Sequence, residues 1–146
     1  MHSDSLLFLM IPLSDVNIIA VVAATIACMA LGFFWYSPKV FGDKWLKLTG
    51  LSQQHAQTDM KKAMITGLLA TFISNYFIAV LLLLVGTQTI AEAATVALIL
   101  WLATALPLEL HGVAWEKRPI QLLHINASNA LATFVLGAVV LQWWPL

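Results

Sequence analysis

The sequence predicts an all-α fold: a four-helix transmembrane bundle with a short interfacial amphipathic helix after the first span. Three observations lead there. Hydrophobic residues make up 61 % of the 146, and only 10 % are charged, against about 25 % charged in soluble domains. Four apolar windows, 16–36, 63–85, 91–110 and 120–142, stand out along the chain. Each suits a hydrocarbon core of about 30 Å, which takes about 20 helical residues to cross. Last, all seven Lys and Arg residues fall in two of the segments between these windows. Buried strands would be shorter, and windows this rich in Ala and Leu read as helices. The spans use up the chain, which is therefore expected to form a single membrane domain over 1–146.

The charge pattern predicts orientation as well. Lys39, Lys44, Lys47, Lys61 and Lys62 follow the first window, and Lys117 and Arg118 separate the third from the fourth. Short Lys- and Arg-bearing loops are retained in the cytoplasm. The expectation is a multi-pass protein of the cell (inner) membrane, with both termini outside and loops 37–62 and 116–119 cytoplasmic. A formal net charge of zero leaves no basic footprint for nucleic acid. The lysines point to the lipid bilayer instead, where each contributes about 1 kcal/mol beside anionic headgroups. So one-sided a bias also disfavours antiparallel insertion, so any homo-oligomer should be parallel, about an axis along the membrane normal.

The elements follow in order. The N-terminal run 6–13 has no Lys or Arg before it and is interrupted by Pro12 and Ser14-Asp15, so it reads as an interfacial arm rather than a cleaved leader. Ser14 or Asp15 is expected to cap the first span. That span carries Ala20, Ala23, Ala24, Ala27 and Gly32 at spacings that let another helix approach closely. Its Cys28 is the only cysteine, which excludes an intrachain disulfide and a thiolate cluster. The span ends in Phe33-Phe34-Trp35-Tyr36, as an aromatic belt would. Ser37-Pro38 stops it, because the residue before proline is driven out of the α region.

Residues 39–49 form the interfacial helix. Phe41, Trp45 and Leu48 recur at i, i+4 and i+7, while Lys39, Asp43 and Lys47 lie on other faces. Trp35, Tyr36, Phe41 and Trp45 are the expected interfacial anchors. Gly50 ends the helix, and a polar segment, 52–59, leads to the second span, with Ser52 or Thr58 as its cap.

The second span bears a stripe of Gly67, Thr71, Ser74 and Asn75, and the fourth bears Asn126, Asn129, Ala130, Thr133 and Gly137. Such stripes face protein, since an unpaired amide in hydrocarbon costs several kcal/mol. Asn75, Asn129 and Thr133 are the candidate intramembrane polar contacts. Counted from the lysine-bearing ends, Asn75 and Asn129 reach similar depths, and a hydrogen bond between them is one expectation.

The hairpin between the third and fourth spans brings a second polar group together. Glu116-Lys117-Arg118-Pro119 is a short turn, with Pro119 suited to the first turn of the next helix. His111 and His124 are equidistant from its centre, as are Glu109 and Asn126, the histidines about 10 Å along their helices. Glu109, His111, His124 and Asn126 are the candidate polar or ion site. Residues two apart on a helix point to nearly opposite sides, so Glu109–His124 and His111–His124 are the candidate pairs. Pro107 should kink its helix and free the Ala103 carbonyl, and Trp115 adds an interface anchor.

Three readings of this layer compete. Its residues are solvated among headgroups, or they form a proton-sensitive gate, or they hold a metal. Two histidines and a carboxylate are zinc ligands by type, but no pair has the i, i+4 spacing of a helical zinc motif. No metal or cofactor is assigned. Nor is a catalytic residue, because no nucleophile elbow, phosphate-binding loop or metalloprotease motif is present.

Trp35-Tyr36-Ser37-Pro38, then Phe41-Gly42, Trp45 and Gly50-Leu51, resembles the signature of a group of small bacterial membrane proteins, domain-of-unknown-function family 1761. Glu116-x-Arg118-Pro119 and Ile125-Asn126-Ala127 are similar too, so the resemblance covers roughly 16–140. Relatives often carry an aromatic residue where Asn129 stands, and no role is carried over to that position. The resemblance implies four spans and brings no assigned activity.

Two function classes therefore stand. One is a small integral membrane accessory or structural protein acting through helix packing with itself or a larger membrane complex. The other is a parallel-oligomeric channel or transporter for a small solute, proton or ion. A wet cavity around Asn75, Asn129 and Thr133 would favour transport, and dry packing of those residues would favour the accessory role.

Overall fold

The computed structural model describes residues 13–52, 54 and 58–144. Residues 6–12 of the expected arm 6–13, and positions 53 and 55–57 of the polar segment, lie outside the described residues. Helices make up the fold: α1 (Ile18–Trp35), α2 (Gly42–Thr49), α3 (Met60–Val85), α4 (Ile90–Ala103), α5 (Ala105–Trp115) and α6 (Ile120–Trp143). Four segments are long and apolar enough to cross a membrane: α1, α3, α4 with α5 (Ile90–Trp115), and α6. This is the architecture of a multi-pass membrane protein.

The ends of the helices explain where the expected boundaries shifted. Neither Ser14 nor Asp15 caps α1. Asn17 does, its side chain accepting from the Ala20 amide at 3.1 Å, and Leu13–Asp15 instead forms a short 3-10 turn. The interfacial helix starts at Gly42, not at 39. Residues before it are spent on a tight turn, in which the Ser37 carbonyl accepts from both Val40 and Gly42 amides. Gly50, at φ 71°, closes it in the left-handed region. Asp59 stands at the N-cap of α3 without a side-chain bond, and the hydroxyl of Thr58 donates to the Gln54 carbonyl instead.

Between α3 and α4 the loop is held from both sides. Gly86 takes the left-handed cap at φ 72°, and Thr89 and Glu92 form a reciprocal capping box. The third span continues well past 110 to Trp115 but breaks at Thr104, where α4 ends and α5 begins. Pro107 has no N–H to offer the Ala103 carbonyl, and the Thr104 hydroxyl turns back to the Leu100 carbonyl at 2.7 Å. In the α5–α6 turn Lys117 adopts φ 55°. Arg118 then returns its amide to the Gly112 carbonyl and lays its side chain over Gly112, while its guanidinium holds Glu116 at 2.6 Å.

Packing centres on α6, which lies against α1, α3, α4 and α5 and also meets α2. Beyond that α1 packs on α3, whereas α3 and α4 barely touch although they are consecutive. The core is made by small side chains: Ala24, Ala93, Ala97 and Ala138 are fully buried with Val21. In lipid no water drives helices together, so close backbone approach and interhelical hydrogen bonds supply the stability. Two indoles provide such bonds to α6. Trp101 Nε1 donates to the Ala127 carbonyl at 2.8 Å, and Trp35 Nε1 to the Ile125 carbonyl at 3.2 Å.

Candidate functional site

The motif that ends α1 builds a compact aromatic knot. Trp35 packs on Phe41 with ring centroids 5.0 Å apart, and Tyr36 meets Trp45 edge-on at 5.7 Å. Gly42 makes this possible, because a Cβ there would collide with the Tyr36 carbonyl oxygen and with the Ser37 carbonyl group. The four anchors expected from sequence thus pack on one another and bind α2 to the end of α1.

Beside the knot lies part of the expected polar layer. The Tyr36 hydroxyl donates to Asn126 Oδ1 at 3.2 Å. Desolvation, and the nearby Glu109 carboxylate, push the Tyr36 phenol up to about 12. Tyr36, at the end of α1, thus bonds Asn126 of α6 and senses the charge of Glu109 on α5. Sequence reasoning had placed it only in the aromatic belt. His111 and His124 are exposed, and neither they nor Glu109 makes a hydrogen bond or ion pair among the described residues. Neither a Glu109–His124 nor a His111–His124 pair is formed. The reason is angular: the α5–α6 turn aims both histidines outward while Asn126 faces α1. Among the described residues no group of three His, Cys, Asp or Glu side chains converges on a metal position.

The Tyr36–Glu109 proximity has a measurable consequence. An absorbance titration of the phenol should place its ionisation near pH 12, and Glu109→Gln should move it part of the way down toward 10. Burial, the larger cause, remains in that variant. The sign for stability follows: a group whose pKa is raised by folding stabilises fully below its unfolded value. That contribution is lost as pH climbs from about 10 to about 12.

Deeper in the bundle, Asn75 of α3 is only 1 % exposed. Its Nδ2 donates to the Thr25 hydroxyl of α1 at 3.4 Å, and Thr25 donates in turn to the Val21 carbonyl at 2.7 Å. Its Oδ1 lies against Gly137 of α6, with the Cys28 Sγ close by. The expected Asn75–Asn129 bond is not made: Asn75 is consumed by α1, and the buried Nδ2 of Asn129 has no partner among the described residues. Thr133 takes part through its backbone, whose carbonyl accepts from Cys28 Sγ at 3.4 Å. A lone threonine in an otherwise apolar span was the signal for Thr25. The reciprocal Thr87–Gln142 contact, at 2.7 Å between side chains, left no sequence signal.

Cavities among the described residues include one of about 240 Å³ at the lysine-free end and one of about 250 Å³ between α3, α4 and α6. Neither is lined by Asn75, Asn129, Thr133 or Glu109.

Comparison with known protein families matches residues 19–142 to the family described as "Protein of unknown function (DUF1761)". No curated protein and no solved structure matches the chain.

Proposed function

The chain belongs to the DUF1761 family, and from that premise we propose that it is an integral membrane accessory protein acting through helix packing with itself or a larger complex. One observation carries the reading. Asn75, the least exposed polar side chain among the described residues, is packed against Gly137 and bonded to Thr25, as a structural contact between helices would be and a solute ligand would not. In this reading the protein lies in the cell membrane with loops 37–62 and 116–119 in the cytoplasm, and any oligomer is parallel. The lysine bias supports that orientation.

The channel or transporter reading keeps one observation in its favour, the unpartnered Nδ2 of Asn129. Purified protein in proteoliposomes separates the two. The expected result is proton and cation flux no greater than in protein-free vesicles, together with a defined assembly after cross-linking in native membranes. Flux above background that falls in Glu109→Gln would overturn the accessory role.

A further inference from the structure

At the lysine-free end, a cavity of about 240 Å³ opens where the start of α1 meets the ends of α3 and α6. Its floor is apolar, formed by residues such as Leu82 and Leu141, and its rim carries Asp15, Asn17, Thr87 and Gln142. The volume is below the range of drug-sized ligand sites, so the occupant is a small molecule or a headgroup.

The charge at the rim selects its chemistry. Every Lys and Arg of the chain lies in the segments at the opposite end, and Asp15 makes no ion pair among the described residues. Glu92, nearby in sequence to Thr87, spends its Oε2 on the amides of Gln88 and Thr89. Two helices, α3 and α6, end at the cavity and present the negative ends of their dipoles. α1 starts there and α4 starts just beyond it at Ile90, but the Asn17 side chain accepts one of α1's first amides, and Thr89 and Glu92 close the start of α4. The balance is negative, over an apolar floor.

We propose that this cavity binds a small ammonium-bearing group, with Asp15 as its counter-ion, Thr87 and Gln142 as hydrogen-bonding neighbours, and Leu82 and Leu141 against its carbon skeleton. The ammonium comes either from a soluble amine or from the headgroup of an ethanolamine phospholipid. This site is independent of the accessory reading, since it uses none of the residues that reading rests on.

The test uses the full chain in nanodiscs of phosphatidylglycerol, which has no ammonium, with the side-chain amide NMR signals of Asn17 and Gln142 as the readout. Ethanolamine is titrated in one arm, its neutral counterpart ethylene glycol in a second, and phosphatidylethanolamine is doped into the discs in a third. A saturable shift with ethanolamine but not ethylene glycol supports the site and assigns a soluble amine. A shift confined to the phosphatidylethanolamine arm supports it and assigns a lipid. Asp15→Asn, an exposed position whose change leaves the fold intact, should weaken either response at least tenfold. No saturable shift in any arm, an equal response to ethylene glycol, or an unchanged response in Asp15→Asn overturns the proposal.

Discussion

Replacing Gly137 with alanine is expected to destabilise the bundle by about 3 kcal/mol, against a total stability on the order of 10 kcal/mol for a folded protein. A Cβ at this position would overlap Asn75 Oδ1 and approach Cys28 Sγ to 3.5 Å. Either α6 moves away from α3, opening the seam of buried alanines, or the amide turns and loses Thr25. Alanine in a helix is ordinarily favoured over glycine by about 1 kcal/mol, so the sign of the effect is itself diagnostic. At Gly32 and Gly67 a Cβ would meet nothing within 4 Å, and alanine there should be neutral or stabilising. Reversible unfolding in mixed micelles reads all three. The Asn75→Ala/Gly137→Ala double variant adds a second check: with the amide gone the overlap disappears, and the double variant should recover most of the loss. Additive losses would show that the amide is not the obstacle.

A comparable loss, about 3 kcal/mol, is expected from Gly42→Ala, by a different route. Here the new Cβ meets backbone, including the Ser37 carbonyl carbon at 2.8 Å and its oxygen at 2.9 Å, and backbone in a closed turn has nowhere to go. Its neighbour bond, Gly42 amide to Ser37 carbonyl at 2.9 Å, breaks as the turn opens. The helix α2 should then separate from α1, taking Phe41 from Trp35 and Trp45 from Tyr36. Hydrogen exchange should report this as loss of protection over Gly42–Thr49 while the spans stay protected. Unchanged exchange in that segment would mean that the knot does not depend on the turn.

Much of this architecture was readable from hydropathy, because crossing a bilayer imposes a length and an apolar content that single residues cannot disguise. The span boundaries moved by only a few residues where caps decide them, as with Asn17 in place of Asp15. The third helix runs beyond the window expected for its span, 91–110: it resumes after Thr104 and continues to Trp115. Its break, near the Ala103 carbonyl that Pro107 leaves without a donor, was foreseeable from covalent chemistry alone.

The candidate site was less readable, for reasons of depth and of angle. Counting residues from a turn assumes that helices start level, and α3 and α6 do not: Asn75 lies level with Gly137, eight residues or about 12 Å along α6 from Asn129. Counting also leaves a helix's rotation free, and that freedom separated His111 and His124. Tyr36 escaped notice as a polar partner because its place in an aromatic run concealed its hydroxyl.

The position of α6 bears on how the protein is made. Every other described span leans on it, and it is the last of them to be translated. Until it emerges, α1 and α3 have only each other, and α4 and α5 have almost nothing to pack against. The earlier spans must therefore wait in the bilayer as separate inserted helices, with Asn75 lacking its bed at Gly137 and Trp35 and Trp101 lacking their acceptors. The packing thus ties closure of the bundle to the insertion of α6.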